Sequence, residues 1–299
     1  MSTVGLIGLG AMGSGMAASL RRAGHEVQVF DVRREVAAAF AQEGGTAYET
    51  LASLGAASDV IVSVVVNAAQ TESVLFGDGT PPGCAASMKP GSVFVMCSTV
   101  DPNWSVALEA RLEAMGLRYV DAPISGGAAK AASGQMTMMT AGKPEAYAVA
   151  EPFLNAMAAK VYKLGDSAGA GSKVKIINQL LAGVHIAAAA EAMALGLREG
   201  VDAAALYEVI TNSAGNSWMF ENRMAHVLAA DYTPLSAVDI FVKDLGIVLD
   251  MARASKFPLP LSSTAHQMFM QASTAGFAKE DDSAVIKIFP GIELPKGKA

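Results

Sequence analysis

Cysteine is scarce, with Cys84 and Cys97 the only two thiols in 299 residues. Two residues build no disulfide framework, so the chain reads as one from a reducing compartment. Cys97 closes an apolar run and Cys84 falls in a polar turn. Histidine is thin as well. His25, His185, His226 and His266 stand apart without metal-ligand spacing, and no metal is expected. Basic clusters are missing and the formal net charge is −6, which leaves no electrostatic footprint for nucleic acid. The most apolar run, Leu180–Leu197, is interrupted by His185 and Glu191, which suits a buried helix and not a membrane span. Met1 leads straight into a strand, so a signal peptide is not expected and the chain reads as cytoplasmic. Internal repeats and low-complexity tails are absent too.

Apolar surface is what the chain has in quantity. Hydrophobic residues make up 52% against 17% charged, and the mean hydropathy is +0.35. A chain of 299 residues has room for about two domains, each with a sizeable core. The 16 methionines sit mainly at apolar positions and read as core filler. The periodicity changes once. Up to about residue 165 strands alternate with helices, and beyond Gly165–Gly169 the pattern is helical. We therefore expect an α/β domain over 1–165 and an all-helical domain over 166–299.

The first strand, Thr3–Gly8, runs directly into Gly8-Leu9-Gly10-Ala11-Met12-Gly13, and Ser14–Arg22 follows as a helix. A second strand, His25–Phe30, is closed by Asp31, 18 residues beyond Gly13. Strand, glycine turn, helix, strand and acid form the dinucleotide fingerprint in its required context, the mark of a Rossmann domain. Gly8 permits the tight turn, Gly10 lets backbone approach a pyrophosphate, and Gly13 lets helix and strand pack closely. The pyrophosphate then sits at the positive end of the helix. Asp31 would accept from the adenosine ribose hydroxyls and repel a 2′-phosphate, which favours NAD. Arg33 and Arg34 either clasp phosphate or begin the next helix in solvent.

Strands at Asp59–Val66 and Val93–Met96 end at Asn67 and at Ser98-Thr99. Ligands collect beyond the carboxyl ends of such strands, so Asn67 and Thr99 are candidates for the nicotinamide half of the cofactor. Capping of the next helix is the ordinary alternative for both. Pro81-Pro82-Gly83 reads as a surface turn. The strand Leu117–Val120 leads into Asp121-Ala122-Pro123-Ile124-Ser125-Gly126-Gly127. Exposed amides of Gly126 and Gly127, with the Ser125 hydroxyl, suit an anion such as a substrate carboxylate; a plain turn is the alternative. Strands at Gln135–Ala141 and Lys160–Leu164 flank a helix at Pro144–Met157 and complete this half.

Gly169 and Gly171 open a long helix running to about Gly200. On it Lys175, Asn178 and Gln179 stand at i, i+3 and i+4, on one face. A lysine on an apolar helix either snorkels or serves as a desolvated acid/base beside amides that position its target. Helices follow at Ala203–Thr211, Trp218–Ala230, Ala237–Ser255 and Ser262–Ala275, with a short Ser283–Phe289. Asp239 and Lys243 are i, i+4 neighbours and read first as a surface ion pair. Lys243 is also a candidate for the cofactor or a substrate carboxylate. Thr211–Ser217 is dense in hydroxyls and amides; either it lines a polar site or Ser217 caps the helix at Trp218. Trp218, Met219, Phe220, Phe269 and Phe289 supply apolar surface for self-association.

Four motifs in order, Gly8–Gly13, Asp121–Gly127, Gly169–Gln179 and Lys243-Asp244-Leu245, resemble the 3-hydroxyisobutyrate dehydrogenase-related β-hydroxyacid dehydrogenases. They span most of the chain. Gln179 departs from the common pattern, which has a second asparagine there. The resemblance implies a Rossmann domain, a long interdomain helix and an all-helical domain that mediates a homodimer or homotetramer. It also implies that Lys175 is the catalytic acid/base and that Ser125, Gly126, Gly127, Asn178 and Gln179 hold the substrate. Thr99 and Lys243 match positions that contact NAD and the reacting centre. Asn67–Gln70, Gln179–His185, Ser213–Met224 and Lys279–Phe289 are similar to a branch of the family that oxidises small polyhydroxy acids. The expected activity is NAD-dependent oxidation of such an acid, with 3-hydroxyisobutyrate or tartronate semialdehyde as alternative substrates. Imine reductases share the architecture but usually lack the lysine, and a non-enzymatic NAD-binding module would be expected to lose Lys175 or the Ser125–Gly127 loop.

Overall fold

The structure, a computed structural model, describes residues 2–79 and 82–297. The chain forms two compact units, Met1–Lys175 and Ile176–Ala299. In the first, β1 (Val4–Ile7), α1 (Gly13–Arg22), β2 (Val27–Phe30), α2 (Arg34–Gln42) and β3 (Thr46–Ala47) make the opening alternation. It continues through α3 (Leu51–Ala57), β4 (Val60–Ser63), α4 (Ala68–Phe76), β5 (Val93–Met96), α5 (Pro102–Ala114) and β6 (Arg118–Asp121). These strands are parallel and lie in the order β3-β2-β1-β4-β5-β6. The order reverses between β1 and β4, which is where open sheets of this kind bind ligands. Val4 is level with Val27 and Val60, so Ile7, Phe30 and Ser63 end side by side.

The unit closes with β7 (Ile124–Ser125), α6 (Gly127–Ser133), β8 (Met136–Gly142), α7 (Pro144–Met157) and β9 (Ala158–Lys163). β8 is antiparallel to β6 and β7 and parallel to β9. Every residue of β1, β4 and β5 is buried, as continuous apolar strands covered on both faces must be. One face packs against Met16, Leu20, Phe153 and Leu154, the other against Leu54, Leu75, Leu108 and Leu112. Helix ends follow their caps: the side chains of Thr50, Asn67 and Asp101 accept amides in the first turns of α3, α4 and α5.

The helix α8 (Ala170–Arg198) starts in the first unit and passes into the second. There it is joined by α9 (Ala203–Thr211), α10 (Trp218–Ala229), α11 (Val238–Ala254) and α12 (Pro260–Ala272), then a 3₁₀ turn at Asp282–Ile288. Ile186, Ala190 and Met193 of α8 pack with Phe220, Phe241, Leu245, Phe269 and Val285 as one core. By length and mean hydropathy (1.7) α8 matches a membrane span, and its buried face, with Ile186, Ala190 and Met193, belongs to that core.

Several expectations shift in detail. The strand predicted over Asp59–Val66 is paired only at Val60–Ser63, because the chain beyond bends toward the Asn67 cap. The pairings at Thr46–Ala47 and Ile124–Ser125 had no period to announce them, being two residues long. The helix predicted over Ser262–Ala275 is α-helical to Ala272 and continues as a π-helical turn at Ser273–Phe277, which ends near Gly276 at φ 101°. Cys84 is buried in the core and not in a polar turn, and burial pushes its thiol up to about 12. Cys97 is likewise buried, and both thiols are free. Pro81, in the expected surface turn, lies outside the described residues.

Candidate active site

The level ends of β1, β2 and β4 place Gly8, Asp31 and Val64 around a groove of about 390 Å³, further lined by Gly10, Val32, Arg33 and Gln70. Gly13 is forced by packing, since a Cβ there would overlap the Gly8 carbonyl oxygen. Gly10 is bare on its outer side: no atom lies within 4 Å of where its Cβ would stand. That opening, at the start of α1, suits a pyrophosphate. The Ser14 hydroxyl donates to the Leu9 carbonyl at 2.8 Å and closes the turn.

Asp31 is buried, and its carboxylate accepts the Leu9 amide at 2.6 Å and the Arg33 amide at 2.8 Å. The Arg33 guanidinium pairs with it at 3.2 Å and also donates to the Leu9 carbonyl at 3.2 Å. Arg33, although its side chain is half exposed, is thus paired with the acid. Burial pushes the Asp31 carboxyl up, but Arg33 and the two amides outweigh it and hold it below the usual range. A buried, ionised acceptor beside a bare glycine turn fits the adenosine half of NAD.

Asn67 caps α4, its Oδ1 accepting the Gln70 amide at 2.8 Å, so the capping alternative is realised. Thr99 follows β5 partly buried, next to Ser98, whose hydroxyl donates to the Val65 carbonyl at 2.7 Å. Ser125 pairs with Thr137 across β7 and β8, and Gly126 and Gly127 adopt φ of 137° and 75°, a region that favours glycine. The loop thus turns directly into α6 with Gly127 exposed. Lys175 is only 7% exposed, against the snorkelling alternative.

Two acids that sequence reasoning passed over organise this end of the unit. Asp121, fully buried at the end of β6, accepts the Gly169 and Ser172 amides at 2.9 Å and the Ser172 hydroxyl at 2.7 Å. Burial pushes its carboxyl up, and the Ser172 and Gly169 bonds oppose that. Glu109 of α5 accepts the Ala168 amide at 3.1 Å. The signal for Asp121 was an acid inside the apolar run Tyr119–Ala122, where burial demands a partner.

In the second unit Asn178 donates to Gln179 Oε1 at 3.1 Å, and Gln179 donates to Asp244 Oδ2 at 2.6 Å. Lys243 Nζ lies 2.7 Å from Asp244 Oδ1. The buried Asp244 therefore joins two predicted substrate residues to a predicted cofactor residue. Asp239, the other expected neighbour of Lys243, accepts from the Ser273 hydroxyl at 2.6 Å. An acid in the apolar stripe of Phe241, Leu245 and Val248 was the signal for Asp244. In Thr211–Ser217, Ser217 caps α10. The side chains of Thr211, Asn212 and Ser213 donate back to α9 carbonyls.

Two family models cover the chain: the NAD binding domain of 6-phosphogluconate dehydrogenase over residues 3–165, and the NAD-binding domain of NADP-dependent 3-hydroxyisobutyrate dehydrogenase over 169–289. A Cupriavidus necator protein named L-threonate dehydrogenase is 67% identical over 99% of this chain and 98% of its own. One of the same name from Pectobacterium atrosepticum is 52% identical over 99% of this chain and 96% of its own. The crystal structure of a Salmonella typhimurium protein named 3-hydroxyisobutyrate dehydrogenase superposes with a TM-score of 0.92 at 52% identity, covering 97% of this chain and all of that one. With its fingerprint in a doubly wound sheet and a buried lysine on the helix that follows, the chain belongs to the 3-hydroxyisobutyrate dehydrogenase-related β-hydroxyacid dehydrogenases, enzymes that use NAD or NADP.

Proposed function

We propose that this chain is an NAD-dependent L-threonate dehydrogenase, oxidising L-threonate to 2-dehydro-L-erythronate. The observation that carries the reading is its full-length likeness to relatives of that name. Bound NAD supplies the hydride acceptor for the carbinol hydrogen. Lys175, shielded from bulk water, takes the hydroxyl proton as the carbonyl forms, and the two transfers together balance the oxidation. Ser125, Gly126 and Gly127 hold the substrate carboxylate through hydroxyl and backbone donors, and Asn178 and Gln179 bind its remaining hydroxyls. Gly8–Gly13 and Asp31 hold the pyrophosphate and ribose, with Asn67, Thr99 and Lys243 at the nicotinamide half. Residues 1–165 are the NAD-binding domain and 166–299 the substrate and oligomerisation domain of a soluble, cytoplasmic homodimer or homotetramer. Apolar side chains exposed on α8, at Ile177 (54%), Leu181 (51%) and Leu195 (62%), support self-association.

A second reading, oxidation of 3-hydroxyisobutyrate, is favoured by the name of the Salmonella relative. The amide pair Asn178–Gln179, anchored on Asp244, gives this stretch of α8 a polar face, which supports a polyhydroxy acid over a methyl-branched one. Sites that bind a hydroxyl reject the analogue lacking it by about 10⁴ or more. Comparing kcat/KM for the two acids at one NAD concentration tests the proposal, and a preference for 3-hydroxyisobutyrate refutes it.

A further inference from the structure

Among the buried carboxylates that take no part in the proposed chemistry, Asp121 and Glu109 are both spent on one short stretch of backbone. Oδ2 of Asp121 takes the Gly169 and Ser172 amides, Oδ1 takes the Ser172 hydroxyl, and Glu109 takes the Ala168 amide. These residues are the approach and first turn of α8, where amides have no partner inside the helix. A cap is ordinarily a neighbouring side chain. Here the acceptors stand 48, 51 and 59 residues away in sequence, so the cap ties the helix to the sheet instead of to its own loop. Gly171 closes the approach, since a Cβ there would overlap the Met139 carbonyl oxygen and stand 3.0 Å from that of Asp121. The first turn of α8 therefore rests backbone to backbone on β6 and β8.

Lys175 follows Ser172 by one turn on the same face. In the other direction, Ser125-Gly126-Gly127 begins four residues after Asp121. One carboxylate thus stands at the root of both, within the first unit. We propose that Asp121 is a positioning residue for Lys175, holding the first turn of α8 so that the amine keeps one register with the Ser125–Gly127 loop. The inference rests on the reading of Lys175 as the base. A misplacement of about 1 Å costs on the order of 10² in rate. The nucleotide groove at the ends of β1, β2 and β4 takes no part in this contact, so NADH affinity stays the same.

The test compares Asp121→Asn, Ser172→Ala and Lys175→Ala with the parent. Each is measured for kcat with L-threonate, NADH affinity by fluorescence titration, melting temperature, and amide hydrogen exchange over residues 168–173. Asp121→Asn keeps the volume but offers one acceptor oxygen instead of two. It should lower kcat about 100-fold, leave the NADH Kd within about twofold, and speed exchange at Gly169 and Ser172. Ser172→Ala removes one bond of the three and should cost about tenfold in kcat with NADH affinity unchanged. Either variant within about threefold of the parent kcat overturns the proposal. So does a loss of NADH affinity and melting temperature in step with kcat, the signature of a merely structural role. If Asp121→Asn fails to fold, Ser172→Ala decides alone on the same criteria. Lys175→Ala separates the two readings: if it keeps parental turnover the base assignment itself fails, whereas an inactive Lys175→Ala beside a fully active Asp121→Asn overturns only the role of Asp121.

Discussion

Replacing Asp31 by alanine probes the nucleotide site at its most charged point. The carboxylate accepts the Leu9 and Arg33 amides at 2.6 and 2.8 Å and is paired with the Arg33 guanidinium at 3.2 Å. Although burial raises its pKa, Arg33 and the amides hold it below the usual carboxylate range, so it is ionised throughout the neutral region. A ribose hydroxyl therefore meets an acceptor, and a 2′-phosphate meets a like charge. Hydrogen bonds to charged groups contribute about 1.5–3 kcal/mol, which is roughly 10- to 100-fold in affinity. Asp31→Ala should weaken NADH by about that factor. It also releases Arg33, whose side chain is 52% exposed, to meet a 2′-phosphate, so NADP gains as NAD loses. The ratio of kcat/KM for NAD over NADP should fall on the order of 10². Initial rates with both cofactors, for the parent, Asp31→Ala and Arg33→Ala, decide it. Arg33→Ala keeps the carboxylate and should keep the preference for NAD. An equal or better kcat/KM with NADP in the parent refutes the reasoning, as does a ratio that Asp31→Ala leaves unmoved. Because the charge is constant, the parent ratio should also be flat from about pH 6 to 9.

Lys175→Ala should bind NADH normally yet lose about 10²–10⁴ in kcat, the range for removal of a general base; turnover within a few-fold of the parent leaves it a core lysine. L-threonate should exceed 3-hydroxyisobutyrate by about 10⁴ in kcat/KM, read from parallel steady-state assays. Asp281 is buried, which raises its pKa, but the hydroxyl of Ser283 and His226 outweigh this and leave it below the usual range. The stability it contributes is therefore complete above about pH 4 and is lost as pH falls through its lower folded value. Asp281→Asn should accordingly lower the melting temperature at neutral pH and converge with the parent in acid. Light scattering at micromolar concentration should report a dimer or tetramer, and a clean monomer excludes the proposed assembly.

The parts of the fold carried by local pattern were legible, and those carried by distant pairing were not. Val93–Met96, Pro144–Met157 and Ala203–Thr211 appear with the predicted bounds, because an apolar run or a 3.6-residue period fixes each within its own segment. The glycine turn and Asp31 were legible for the same reason: strand, turn, helix and acid follow one another in the chain. Ser217 shows the limit of local reasoning, since hydroxyls at a helix start suit a cap and a ligand equally well, and only the Phe220 amide at 3.0 Å decides for the cap. Apolar residues carry the same ambiguity. Phe220 and Phe269, expected at a surface for association, are core, while Ile177 and Leu181 on α8 are exposed. Hydrophobicity says that a side chain is to be covered but not by what.

Asp121 and Asp244 show why the supports of the site were missed although their residues were in plain view. Asp121 stands in an apolar run beside Val120 and Ala122, and Asp244, next to Lys243, falls on the buried helix face of Phe241, Leu245 and Val248. Burial of an unpaired carboxylate is too costly to persist, so each position implies a donor. The donors are the Gly169 and Ser172 amides, 48 and 51 residues from Asp121, and the Gln179 side chain, 65 residues from Asp244. No period connects residues so far apart. Both sets of donors nevertheless lie in the single stretch Gly169–Gln179 that carries Lys175. An acid that interrupts an apolar run or helix face marks an anchor, and the segment rich in small residues and amides is where such anchors converge. That the lysine lies between the two anchored points is the physical reason to expect its position, and not only its chemistry, to be sensitive to substitutions at either acid.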